Sequence, residues 1–184
     1  MKFLVISDLH GNSQRIEQLL SQIQDPAPDI IVICGDLTHY GSTSDSADIL
    51  KKFSTSSTPI FFVPGNLDPI SLQDQVKIAH TTHLHGRRVE FNSYIFIGIG
   101  GSIYTPFHTR FELSENEITT LLDNICNQLP DKSRHILVSH NPPYDTRLDV
   151  TSSGKHVGSK ALRNFIITTQ PILVMCGHIH EASS

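Results

Sequence analysis

Five short apolar runs in this chain each stop at a residue able to bind a metal ion. The runs are Phe3-Leu4-Val5-Ile6, Ile30-Ile31-Val32-Ile33, Ile60-Phe61-Phe62-Val63, Ile136-Leu137-Val138 and Ile172-Leu173-Val174-Met175. They lead into Asp8-Leu9-His10, Gly35-Asp36, Gly65-Asn66, Ser139-His140 and Gly177-His178-Ile179-His180. Successive side chains of a strand point to opposite faces, so a run without polar alternation has no face to offer water. Such strands belong inside a sheet that is covered on both sides. In open α/β sheets, residues at the ends of parallel strands converge on one edge, where active sites form. The pattern therefore constrains the fold and implies a metal site.

The segments between the runs are helical. Ile16, Leu19, Leu20 and Ile23 follow the i, i+3, i+4, i+7 spacing of one apolar helix face, and Ile118, Leu121, Leu122 and Ile125 repeat it. Ser114-Glu115-Asn116-Glu117 reads as a capping box ahead of the second. Leu162, Phe165 and Ile166 mark a third helix starting near Ser159, and a weaker one covers Asp45 to Phe53. Pro69 to Ile78 is a further candidate, with Pro69 at the first helical position. Alternation of strand and helix implies right-handed βαβ units. His83-Leu84-His85, Arg88–Phe91 and Tyr94–Ile97 read instead as an antiparallel meander with turns at Gly86 and Asn92-Ser93. The expected architecture is α/β, a four-layer αββα sandwich of two mixed β-sheets flanked by helices.

The chain has 184 residues, which suits a single domain over 1–184. No apolar stretch is long enough to span a bilayer, and Met1-Lys2-Phe3 runs into a strand without a signal-peptide layout. A cytoplasmic location follows as an expectation. The net charge of -4 provides no basic field for dedicated nucleic-acid binding. Cys34, Cys126 and Cys176 lack metal-type spacing and read as free thiols, Cys34 and Cys176 as small residues in tight strand ends. Oligomeric state leaves no trace in the sequence.

Asp8, His10, Asp36, Asn66, His140, His178 and His180 offer carboxylate, amide and imidazole donors and no thiolate. That set suits five- or six-coordinate manganese, iron, cobalt, nickel or zinc better than a structural zinc site. Seven ligands exceed what one ion needs and suit two divalent ions sharing a carboxylate. Two such ions clamp a phosphate and acidify a bridging water, which then serves as the nucleophile.

In order and context these motifs resemble the calcineurin-like metallophosphoesterases. The resemblance spans Asp8 to His180, and within the family Ser7-Asp8-Leu9-His10-Gly11-Asn12 looks like the small prokaryotic phosphodiesterase-type members. It implies that Asp8, His10, Asp36 and His180 hold a first metal. Asp36, Asn66, His140 and His178 hold a second, with Asp36 as the bridge. His140 and Asn66, with metal-bound hydroxide, are the implied catalytic residues, and manganese is the first expectation for the metal. The implied activity is hydrolysis of a small phosphodiester or phosphomonoester. The alternative is a non-catalytic scaffold on the same fold that binds proteins, and a repair-type nuclease is a third reading.

Three departures matter. The family often has a histidine after the asparagine as leaving-group acid, and this chain has Leu67 there. His39, His108 and His156 are substitutes to test, each weighed against an ordinary loop histidine; without an acid, good leaving groups are favoured. Asp36 continues into Leu37-Thr38-His39-Tyr40, which lacks the protein-phosphatase continuation and disfavours a phosphoprotein substrate. The chain stops at Ser184, just past His180, where such folds usually add strands, so a domain lacking its C-terminal strands is expected.

Other residues read as structural. Asp68-Pro69 fits a helix N-cap with proline at N1. His83 and His85 read as a surface ladder on one strand face. Gly98-Ile99-Gly100-Gly101 lacks the following helix of a dinucleotide loop and reads as tight backbone near a sheet edge. Asn141 to Val157 is a candidate active-site loop, and His108 and Arg110 lie in another loop with access to a phosphate.

Overall fold

The computed structural model describes residues 1–23, 27–55, 57–72, 77–127, 129 and 134–182. The first sheet contains β1 (Phe3–Ile6), β2 (Ile30–Cys34), β3 (Ile60–Val63) and β4 (Thr81–His83) in that spatial order. All its pairings are parallel. The second contains β5 (Arg87–Phe91), β6 (Tyr94–Ile99), β9 (His135–Ser139) and β10 (Leu173–Met175) in the order β10-β9-β6-β5. It is mixed, because β5 runs antiparallel to β6 while the other pairs are parallel. Strands β7 (Ser102–Ile103) and β8 (Glu112–Leu113) form a small parallel pair.

The period of two explains the layering. Ile31, Ile33, Ile60 and Phe62 face one way and pack with Ile16, Ile49, Leu50 and Phe53. Those four belong to helices α1 (Ser13–Gln22) and α2 (Thr43–Phe53). Ile30, Val32, Cys34, Phe61 and Val63 face the other way and meet Phe96, Ile136, Val138 and Met175 of the second sheet. Ile95, Ile97 and Leu137 then pack on α3 (Glu115–Cys126) and α4 (Lys160–Thr169) through Ile118, Leu122, Leu162 and Phe165. The result is helices, sheet, sheet, helices.

Helix starts follow their caps. The Ser114 hydroxyl accepts from Glu117 N at 3.2 Å, and the Glu117 carboxylate returns to Ser114 N at 2.7 Å. Ser42 and Asp45 make the same box ahead of α2, so that helix begins at Thr43, slightly earlier than expected. Ser159 caps α4, and Glu115 reinforces it by accepting from Lys160 N and Ala161 N at 2.8 and 2.9 Å. The candidate helix over Pro69–Ile78 lies partly outside the described residues. Within them, Leu72 N bonds Pro69 O at 3.0 Å, and Leu72 is fully buried.

Two expectations need correction. The meander does not continue through all three segments. β4 pairs parallel to β3 in the first sheet, and only β5 and β6 form a hairpin in the second. The chain changes sheets at Leu84, which is fully buried in the inter-sheet core. His83 and His85 are consequently not a surface ladder. His83 is 7% exposed and packs on Phe62 with ring centroids 5.4 Å apart. His85 packs on Phe111 and accepts from Gly100 N at 2.9 Å. Burial drives His83 down to about 3 and His85 to about 4. The glycine-rich turn is tight backbone, as expected: a Cβ on Gly98 would strike Leu84 and one on Gly100 would lie 2.6 Å from Pro64 O.

Candidate metal centre

Asp8 and His10 follow β1, Asp36 follows β2, Asn66 follows β3, His140 follows β9, and His178 and His180 follow β10. The strand ends interlock through their backbones. His10 N donates to Asp36 O at 2.9 Å, Asp8 N to Gly35 O at 3.1 Å and Gly177 N to His140 O at 3.1 Å. Four of the seven residues have left-handed backbones: Asp8 at φ 57°, His10 at 48°, Asp36 at 51° and His178 at 75°. Each such residue costs on the order of 1–3 kcal/mol, and the surroundings must hold it there. Gly65 and Gly177 make room for this crowding. A Cβ on Gly65 would overlap the Asp36 carboxylate, and one on Gly177 would overlap Ser7 Oγ and Asp8.

The seven side chains form one linked cluster. His140 is fully buried, and its Nδ1 lies 2.7 Å from Cys34 O. That carbonyl accepts only, so Nδ1 carries a proton and Nε2 is the nitrogen turned to the site. Nε2 faces Asn66 Oδ1 at 2.8 Å and Asp36 Oδ2 at 3.6 Å. The other Asp36 oxygen accepts from Leu67 N at 2.9 Å, which aims Oδ2 at the histidines. Oδ2 is also 4.0 Å from His10 Nε2. His10 Nε2 and His180 Nε2 stand 3.1 Å apart, and Asp8 Oδ1 lies 3.4 Å from His180 Nε2. The His178 ring packs against His140 at 4.9 Å, and its backbone N–H donates to the Asp8 carboxylate at 3.1 Å.

Burial and neighbouring charge set the protonation of this cluster. Burial pushes Asp36 up to about 6; His140 opposes the rise and Asp68 adds to it. Burial also works to raise Asp8, but His140, Ser7, the His178 N–H and His180 outweigh it and hold the carboxyl low. Burial takes His178 down to about 3 and lowers His10, so both imidazoles are neutral at pH 7.

These residues fit metal ions. Oxygen and imidazole-nitrogen atoms approach one another at 2.8–3.6 Å, an arrangement of ligand atoms that a cation between them satisfies. Donor atoms of Asp8, His10 and His180 lie within 4.8 Å of one another, and so do those of Asp8, Asp36 and His140. Asp8 belongs to both groups; the family resemblance implies Asp36 as the shared residue. The cysteines stay outside this chemistry. Burial raises the thiols of Cys34 and Cys176, the latter to about 11, so neither is a thiolate at neutral pH.

Asp68 is structural, but it is not seen as a cap. It is fully buried and accepts from Gly65 N, Leu37 N and Thr38 N at 3.0 Å each, and from Thr38 Oγ1 at 3.2 Å. It ties the loop bearing Asp36 to the loop bearing Asn66. Asp149 plays the same part in the loop after His140, and sequence reasoning missed it. Its buried carboxylate accepts from Asp145 N, Thr146 N and Gly158 N at 2.9–3.1 Å and bonds His156 Nδ1 at 2.7 Å. His156 is thereby committed to holding the loop.

A cleft of about 480 Å³ opens over the cluster. Asp36, Asn66 and His178 line it together with His39, Leu67 and Phe107. His39 lies edge-on to His10 with ring centroids 5.7 Å apart. His108 is exposed in the loop that also carries Phe107 and Arg110. Arg110 Nη1 donates to Gly41 O at 2.6 Å, and its guanidinium covers the Tyr40 ring at 5.2 Å.

A sandwich of two sheets with carboxylate, amide and imidazole donors at its strand ends defines a metallophosphoesterase. The chain belongs to the calcineurin-like phosphoesterase family, whose model matches residues 1–182. The family implies a hydrolase, and its members typically bind two divalent metals. The chain is 35% identical, over 99% of its length and 81% of the relative's, to an uncharacterized protein of Methanocaldococcus jannaschii. It is 24% identical over 86% of its length to a probable glycerophosphodiester phosphodiesterase of Arcobacter nitrofigilis, of which the match spans 59%. A solved structure from Thermus thermophilus shares the fold at TM-score 0.76 and 20% identity, covering 95% of this chain and 80% of that one. The phosphopantetheinyl hydrolase of Mycobacterium tuberculosis shares it at TM-score 0.66 and 13% identity, covering 97% and 83%. No helix among the described residues is long and apolar enough to cross a membrane.

Proposed function

We propose that this protein is a dinuclear metal-dependent phosphoesterase that hydrolyses a small phosphodiester or phosphomonoester. The observation that carries this reading is the convergence of imidazole nitrogens on Asp36 Oδ2, which faces His140 Nε2 at 3.6 Å and His10 Nε2 at 4.0 Å. Asp8, His10, Asp36 and His180 would hold one divalent ion, and Asp36, Asn66, His140 and His178 the other. Bound there, the ions would supply Lewis acidity toward a phosphate ester and toward water.

The chain's own residues do the rest. Cys34 O fixes the His140 tautomer with Nε2 toward the site. The Leu67 N–H fixes which Asp36 oxygen faces inward. The Asn66 side chain stands beside His140 at the cleft, where it would orient the phosphoryl group. The Leu67 side chain brings no proton to a departing oxygen, so esters of acidic alcohols react best. A diester is preferred over a phosphoprotein because Leu37-Thr38-His39-Tyr40 lacks the protein-phosphatase continuation. Manganese is the first choice of metal, with iron, nickel, cobalt and zinc as alternatives.

The test is metal-dependent turnover of bis(p-nitrophenyl) phosphate by purified protein, alongside p-nitrophenyl phosphate and a phosphopeptide. The expected result is manganese-dependent cleavage, fastest for the diester and lost in Asp36→Asn. Protein that takes up no divalent ion and cleaves none of these esters would leave the scaffold reading.

A further inference from the structure

The loop from Tyr104 to Arg110 is built to hold an aromatic ring in water. Phe107 is 79% exposed and lines the cleft over the ligand cluster. The loop is not slack. Glu112 Oε1 accepts from Thr105 Oγ1 at 2.6 Å and from Thr109 N and Thr109 Oγ1 at 2.8 Å each. Phe107 N itself donates to Thr105 Oγ1 at 3.2 Å. Phe111 N bonds Asn66 O at 3.1 Å, which ties the loop to the strand end beside the ligand cluster.

Tyr40, which also lines the cleft, is tied to the same loop. Arg110 bonds Gly41 O and covers the Tyr40 ring, and Tyr40 also packs edge-on against His39 at 5.4 Å. Tyr40 is 41% exposed. Both rings border the cleft that opens on Asp36, Asn66 and His178, and Leu67 adds apolar surface to its lining. A ligand that meets the cluster with an anionic phosphoryl group meets aromatic carbon with its other part.

We propose that Phe107 and Tyr40 form a subsite for a planar ring carried by the substrate's alcohol portion, an aryl group or a nucleobase. This rests on the phosphoesterase reading above and deepens it. A flat ring gains from stacking on the exposed Phe107 ring, while Tyr40, one face of which Arg110 already covers, adds aromatic carbon at the cleft's border. Stacking of a base on one aromatic side chain is worth about tenfold in affinity or more. The subsite complements Leu67: esters of phenol-like alcohols leave without a protonating residue and also fill the aromatic cleft.

The experiment is calorimetric binding to manganese-loaded protein of phosphonates that the protein cannot cleave at carbon–phosphorus. Methylphosphonate, phenylphosphonate and the 5′-methylenephosphonate of adenosine are compared in wild type and in Phe107→Ala and Tyr40→Ala. Both substitutions are at exposed positions, and unchanged thermal unfolding and metal content confirm intact folding. The expected result is that at least one ring-bearing ligand binds about tenfold or more tightly than methylphosphonate. The preference shrinks to within about twofold in Phe107→Ala, while methylphosphonate binding stays the same. Which ring compound wins distinguishes the aryl source from the nucleoside source. Equal affinities for all three ligands, or a preference that survives both substitutions, overturns the subsite alone. No binding of any phosphonate overturns the phosphoesterase reading, and the subsite falls with it.

Discussion

Asp68→Asn separates two accounts of one carboxylate. As a helix cap before Pro69, Asp68 would be replaced by asparagine at a cost of only a few tenths of a kcal/mol, because the two cap about equally well. In the structure its two oxygens accept four hydrogen bonds, three of them from buried backbone N–H groups. Asparagine replaces one acceptor oxygen with an NH2 group, so at least one backbone donor faces another donor. Leaving a buried donor unsatisfied costs about 1–3 kcal/mol, and losing the charge weakens the remaining bonds. The expected destabilisation is about 2–4 kcal/mol for Asp68→Asn and about 3–6 kcal/mol for Asp68→Ala, which strands three N–H groups. A domain with about 5–15 kcal/mol of total stability would register either clearly. The assay is urea unfolding with chelator present, reading the midpoint at constant slope. Metal affinity should fall as well, because Asp68 joins the loops bearing Asp36 and Asn66. An Asp68→Asn protein within about 0.5 kcal/mol of wild type would refute the clamp.

Three further outcomes follow from the packing. His83 is buried with no hydrogen-bond partner on either ring nitrogen among the described residues, and its folded value of about 3 lies below the ordinary 6.5. The unfolded chain therefore binds the extra proton between those values, and stability is lost as pH falls from about 6.5 toward about 3. His83→Phe should remove up to a few kcal/mol of that acid sensitivity, seen as a flatter dependence of the melting temperature on pH; an unchanged slope would contradict it. Gly177→Ala places a methyl group on Ser7 and Asp8, so it should lower the melting temperature and weaken metal uptake together; a variant unaffected in both would count against this crowding. Ser114→Ala removes the α3 cap and should cost about 1 kcal/mol in urea unfolding, with metal binding untouched.

The layers and the cluster were legible in the sequence for the same reason. Runs such as Ile30–Ile33 and Ile136–Val138 carry apolar residues on both faces, which leaves few arrangements other than a doubly covered sheet. The ligand-type residues sit immediately after those strands, so strand position alone brought Asp8, Asp36, Asn66, His140 and His178 together. What escaped depended on non-local pairing. Nothing in His83-Leu84-His85 reveals that the chain crosses between sheets there, because that is decided by β3 and by β6. Asp68 and Asp149 look like turn residues, since the N–H groups they satisfy lie up to 31 positions away in sequence. Tyr40 and Phe107 follow no periodicity; the Arg110 to Gly41 bond and the packing of Arg110 on Tyr40 join their loops at one cleft.

Divalent-ion stoichiometry tests the central claim most directly. Wild type and Asp36→Asn would be loaded with manganese, freed of excess ion and analysed for metal per chain. With Asp36 Oδ2 facing both histidine groups, wild type should retain two ions and Asp36→Asn should lose occupancy at both positions. Wild type that holds no ion, or an Asp36→Asn protein that still holds two, would contradict the account.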